Sequence, residues 1–232
     1  MLYFLRTFIA AFILLTGHAA TAATCEVKAI FVQPPNAVPE TAVLMANQKF
    51  VDVDLPRRNL SDSIDLDSGE NSIIVLPQRP TGPEIPLDAP KFTIPETWTR
   101  CVLLFFHDDK NPVFPARVIP VNTSNADFPM GHILLFNVSS AVVAAKLGTE
   151  TVKILPGKSV SVKPPRSGSG DYPVAIDCIL PGDTQAIALC RSTWQHEAKA
   201  RQILFIVPQP EQKIPGIWGI LDRETIRDEK VP

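Results

Sequence analysis

Apolar and polar residues alternate with a period of two along several short stretches of the chain. Val51, Val53 and Leu55 fall on one side and Asp52 and Asp54 on the other. Ile64 and Leu66 alternate with Asp65 and Asp67, and Val160 and Val162 with Ser159, Ser161 and Lys163. Such alternation predicts strands with one face on a core and one in water. The continuous apolar runs Cys101–Phe106, Ile133–Phe136 and Ile203–Val207 are of strand length and predict central strands covered on both faces. Between these stretches stand prolines, among them Pro77, Pro86, Pro95, Pro120, Pro156 and Pro181. Proline lacks a backbone donor and is tolerated at strand ends, edges and turns. Long helices do not survive this punctuation, whereas short strands do. Two segments carry helical features: Ser139–Gly148, with a serine cap and a terminal glycine, and Thr193–Gln202. The first reads as strand because of the repeat described next, the second as one or two helical turns inserted between the last strands.

Six short matches recur in order at a spacing of about 90 to 100 residues. Ala42–Ala46 matches Ile133–Asn137, Val51–Pro56 matches Val143–Gly148, and Ile64–Gly69 matches Val152–Gly157. Ser72–Pro77 matches Ser159–Pro164, Arg100–Phe106 matches Arg201–Val207, and Phe114–Val121 matches Ile214–Leu221. The pattern predicts duplication of a six- or seven-strand unit, with domains over 24–126 and 127–224 and a loose tail over 225–232. About seven short strands in about 100 residues indicate an all-β fold of two tandem immunoglobulin-like β-sandwich domains, with few short helical turns. The Cys…Trp…Cys spacing of antibody domains is missing, so the expectation concerns architecture.

The first residues add a compartment. Arg6 precedes an apolar run from Thr7 to Thr16, and Ala20-Thr21-Ala22 has the small-x-small form of a cleavage site. The run is far shorter than the roughly 20 residues that cross a bilayer. Residues 1–22 read as a signal peptide, and the chain as exported to the periplasm, cell envelope or extracellular space. Cys25 lacks the flanking residues of a lipid-attachment box. Cys25, Cys101, Cys178 and Cys190 suggest two disulfides in an oxidising compartment. Cys178 and Cys190 flank the turn sequence Leu180-Pro181-Gly182-Asp183, which leaves Cys25 for Cys101. The full chain has 24 acids against 22 bases and no Lys/Arg cluster, which argues against a nucleic-acid partner. No further segment is apolar enough to span a membrane.

Candidate chemistry is sparse, and no cofactor is implied. His107, His132 and His196 lie far apart and in no metal spacing. Asp108 and Asp109 after His107 read as a polar turn. There is no GxSxG elbow, and Arg166–Asp171 lacks the lysine and helix of a phosphate loop. Acids gather in the first half. Asp65, Asp67 and Glu70 resemble part of a calcium loop without its later ligands, and paired carboxylates also serve glycoside hydrolysis. Trp98, Trp194 and Trp218 with Tyr172 are candidates for a sugar-stacking platform, or for core packing. Asn59, Asn122 and Asn137 begin glycosylation sequons. Asn137 falls in an expected strand, which argues against its use.

The strings Ala42–Asn47, Val53–Ser61, Val102–Val121, Ile133–Ser140, Lys146–Gly148 and Leu155–Ser159 resemble exported, uncharacterised tandem β-sandwich proteins of Gram-negative bacteria of the Verrucomicrobia type. The outline of leader plus two immunoglobulin-like domains is also similar to the periplasmic pilus-assembly chaperones. That resemblance implies strand donation to a bound subunit. Their Leu-Pro-x-Asp-Arg-Glu-Ser segment ends the first domain, whereas here Leu221–Thr225 lies near the C-terminus and lacks the proline. The expected function is non-enzymatic binding or scaffolding of a protein or envelope glycan. A strand-donating chaperone and a carboxylate-dependent hydrolase are the alternatives.

Overall fold

A computed structural model describes residues 23–35, 38–69, 71–163, 170–209 and 211–223. The expected signal peptide, Glu70 and the tail over 225–232 lie outside these residues. Sixteen strands and no helix occur among the described residues. The first half contains β1 (Thr24–Phe31), β2 (Thr41–Ala46), β3 (Lys49–Asp54), β4 (Ile64–Asp67), β5 (Ile73–Leu76), β6 (Lys91–Phe92), β7 (Arg100–His107) and β8 (Ala116–Asn122). The second half contains β9 (Ile133–Asn137), β10 (Val142–Leu147), β11 (Glu150–Ile154), β12 (Ser159–Val162), β13 (Gly170–Ile179), β14 (Ile187–His196), β15 (Ala200–Gln209) and β16 (Gln212–Arg223). Local chemistry sets the turns. Asn47 and Gln48, at φ 49° and 64°, join β2 to β3 with the two left-handed residues that a tight hairpin requires.

Each half is a sandwich of two four-stranded sheets. Their orders are β4-β1-β7-β8 with β3-β2-β5-β6, and β12-β9-β15-β16 with β11-β10-β13-β14. The orders become identical when eight is added to each strand number, so the chain is two tandem β-sandwiches with one duplicated topology. Both copies contain the same unusual pairing, β1 parallel to β7 and β9 parallel to β15. The register corrects the repeat drawn from sequence. Its last two matches pair equivalent strands, β7 with β15 and β8 with β16. The first four are displaced by one strand, because Thr24–Phe31 opens the first copy and is the true equivalent of Ile133–Asn137. The repeating unit therefore has eight strands rather than six or seven.

The sequence runs without polar breaks are explained by how the copies stack. Val27, Ala29, Phe31, Leu103 and Phe105 point into the first sandwich, and Ile133, Leu135, Leu204 and Ile206 into the second. The alternate residues form a third core between the two sandwiches. Ile30, Val32, Val102, Leu104 and Phe106 meet Leu134, Phe136, Ile203, Phe205 and Val207 there. The arrangement is four layers deep. Its two inner sheets are buried on both faces, which requires continuous apolar runs. Equivalent faces of the two copies supply the contact: Val102, Leu104 and Phe106 stand where Ile203, Phe205 and Val207 stand in the other.

Ser139–Gly148 is strand over Val142–Leu147, as the repeat suggested. Thr193–Gln202 is not helical. Thr193–His196 continues β14, paired with Gly170–Pro173, and Ala200–Gln202 opens β15. Ladder bonds of Thr193–His196 to β13 and of Ala200–Gln202 to β16 outweigh the helix propensity of the segment, which amounts to only a fraction of a kcal/mol per residue.

Candidate functional site

A groove of about 660 Å³ opens where the first sandwich meets the free end of the second. Arg58 and Asn59, from the connection between β3 and β4, form one rim. Thr193, Trp194 and Gln195 of β14 and Gly219, Ile220, Leu221 and Arg223 of β16 form the walls, and Gln202 and Leu204 of β15 the floor. The floor exists because residue 219 is glycine. A Cβ there would lie 2.5 Å from Leu204 Cδ2, so any side chain would force Leu204 to shift. Proline 120 occupies the equivalent position in the first copy. The lining offers guanidinium and amide donors beside a half-buried indole, and no Asp, Glu, His or Cys. Arg223 also holds Glu197, at 3.2 Å. A neighbouring recess shares Arg58 and Asn59 and adds Glu40, Asp54 and Arg57.

A charged cluster lies at the inner end of the interface. Asp222 of β16 accepts from Lys28 Nζ of β1 at 2.8 Å and from Arg201 Nη2 of β15 at 2.6 Å. Arg201 is fully buried; it donates to the carbonyl oxygens of Thr123 and Phe128, the latter at 3.0 Å. One guanidinium thus binds the segment that joins the two sandwiches. Burial draws its pKa down, and Asp222 opposes that shift. Sequence reading missed this cluster, because Lys28, Arg201 and Asp222 carry no spacing signal and meet only through the stacking of the copies.

The residues singled out from sequence do not converge. Asp67 is held by the amide of Asn47 at 3.1 Å and by Lys49 at 3.2 Å, which keep its carboxyl below the usual range. An oxygen already engaged by donors is a poor cation ligand. Asp65 lies on the same short strand, and Glu70 is outside the described residues. Asp65 and Asp67 therefore form no three-group metal cluster, and none occurs among the described residues. Asp108 Oδ1 accepts from the backbone of Lys110 at 3.2 Å, which makes the segment after His107 a polar turn. Trp98 packs on the first core, Trp218 stacks on Phe205 at 5.2 Å between the sandwiches, and only Trp194 reaches the groove. Tyr172 is opposite Trp194 but buried, its hydroxyl without a hydrogen-bond partner in the structure. These aromatic residues form no platform. Asn137 is fully buried, with its amide donating to Ala141 and Ile154, so its sequon is closed to modification.

All four cysteines are free thiols, yet the two expected pairs sit on neighbouring strands. Cys178 and Cys190 are in the β13–β14 hairpin, where Cys190 is opposite Ile176. Cys25 and Cys101 are on paired β1 and β7, and their thiols are hydrogen-bonded to each other. That bond lowers the pKa of Cys25, while the same bond and burial raise that of Cys101 well above its usual value. No helix among the described residues is long and apolar enough to cross a membrane. The chain matches no protein-family model and no curated protein.

Proposed function

We propose that the chain is an exported, non-enzymatic binding or scaffold protein of the cell envelope or extracellular space, with the groove at Arg58, Trp194 and Gln202 as its ligand site. The observation that carries the reading is the lining. It provides donors and an aromatic surface for a ligand, but no group that titrates near neutral pH to act as acid or base. Two stacked sandwiches with a buried apolar interface form a stiff support for such a surface. The leader-like residues 1–22 support export.

The chaperone reading needs a cationic pair between the domains that is open to a bound subunit. Lys28 and Arg201 lie between the sandwiches but are occupied by Asp222, which weighs against it. The hydrolase reading needs paired carboxylates in a cleft, and Asp67 is engaged by Lys49 and Asn47 instead. The test is a panel of esters, glycosides and peptides together with ligand titrations read by tryptophan fluorescence. No turnover is expected, and Arg58→Glu or Trp194→Ala is expected to weaken binding at least tenfold. Reproducible turnover that is lost in Asp65→Ala or Asp67→Ala would overturn the reading.

A further inference from the structure

The walls of the groove contain consecutive residues: Thr193, Trp194 and Gln195 on one side, Gly219, Ile220 and Leu221 on the other. Successive side chains of a strand point to opposite faces, so a run of neighbours lines a cavity only where the strand's edge borders it. Both β14 and β16 are the end strands of their sheets. An end strand presents backbone donors and acceptors to any chain that can pair with it, and proteins guard such edges with proline, charge or shortness.

The eight end strands are guarded to different degrees. β6 and β12 have two and four residues. β3 carries Lys49, Asp52 and Asp54, β4 carries Asp65 and Asp67, and β11 carries Glu150 and Lys153. β8 has Arg117 and Pro120, and β16 has Lys213 and Pro215. β14, Ile187–His196, has a bulge at Leu189 and one charge, Arg191, which is tied to Asp177 at 2.5 Å, but its last five residues, Ser192–His196, carry no proline, lysine, arginine or acid. Thr193–Gln195 of that stretch border the groove, opposite β16.

We propose that β14 is a docking edge that takes an extended, proline-free, acidic segment of a partner protein as an added strand. The inference rests on the binding reading above and names its ligand class. The ladder bonds come from the outer backbone of β14. Alternate side chains of the added strand face the floor at Leu204, where Gly219 leaves room. Acidic residues meet Arg58 at the rim, whereas Arg223 is already engaged by Glu197 at 3.2 Å. A peptide is favoured over a glycan because a strand edge offers regularly spaced backbone groups that only another backbone matches in full.

The experiment uses the full exported chain and a pool of short capped peptides that alternate Glu or Asp with Val, Ile or Leu. Hydrogen exchange is followed at the backbone amides of Ile187–Gln195, alongside tryptophan fluorescence. The acidic pool is expected to slow exchange in β14 at least about tenfold. Pools with Lys in place of the acids, or with proline at alternate positions, are expected to leave it unchanged. Ser192→Pro and Thr193→Pro are prepared together, since one of these neighbours has its N–H directed away from β13. The variant that keeps the parent melting midpoint is expected to lose the protection. Unchanged β14 exchange with every peptide, while fluorescence responds to an acidic oligosaccharide, overturns the strand inference and leaves the groove reading standing. No response to either class of ligand removes both. Protection that grows with protein concentration in the absence of peptide assigns the edge to a second copy and overturns the partner named here.

Discussion

Replacing Asp222 by alanine tests whether the two sandwiches are held by a buried charge balance. In the parent, its two oxygens neutralise Lys28 and Arg201, whose side chains are 11% and 0% exposed. The variant leaves two buried cations and a missing acceptor. Breaking a buried ion pair by removing one partner costs about 3–5 kcal/mol. Against a whole-protein stability of roughly 5–15 kcal/mol, that is a large share. For a chain of this size each kcal/mol moves the midpoint by about 2–4 °C, so a fall of about 6–20 °C is expected. Urea unfolding followed by tryptophan emission is a suitable assay, because Trp218 stacks on Phe205 within the same interface. Paired replacement, Lys28→Met with Asp222→Asn, retains an acceptor for Arg201 and is expected to cost less than Asp222→Ala. A loss below about 1 kcal/mol for Asp222→Ala, the level of an exposed surface pair, refutes the reasoning.

Two further outcomes follow from the titratable groups. Burial, and then the positive charges of Lys163 and His196, hold the His132 imidazole below its ordinary value of 6.5. The unfolded chain binds the proton more readily, so this contribution to stability is full above the ordinary value and is lost as pH falls through the depressed one. His132→Gln is expected to flatten the stability profile below about pH 6.5, and an unchanged slope counts against it. Protein recovered from an oxidising compartment is expected to yield a Cys25–Cys101 crosslinked peptide on non-reducing mapping. Complete alkylation of both cysteines after unfolding without reductant counts against the crosslink.

Much of the architecture was legible because strand alternation and proline spacing are local properties. The period-two stretches at Val51–Leu55 and Ile64–Asp67 became strands with one face on the core. The duplication was legible too, but its phase was not. Short apolar strands resemble one another, and only the parallel pairing of β1 with β7 and β9 with β15 shows where each copy begins. The helical reading of Thr193–Gln202 failed for a related reason: local propensity is weak beside a ladder formed with distant partners.

Local pattern alone specified an all-β chain in two copies, and it marked three apolar runs as covered on both faces. Alternation and punctuation require only neighbouring residues, so one dimension of information is enough. What covers those runs was decided by tertiary structure, which laid the inner sheet of one copy on that of the other and created a third core from Ile30, Val102, Phe136 and Phe205. The same stacking brought Lys28 to Asp222 across 194 residues and set Arg58 opposite Trp194. Such contacts depend on the relative placement of whole sheets, and no spacing along the chain encodes them.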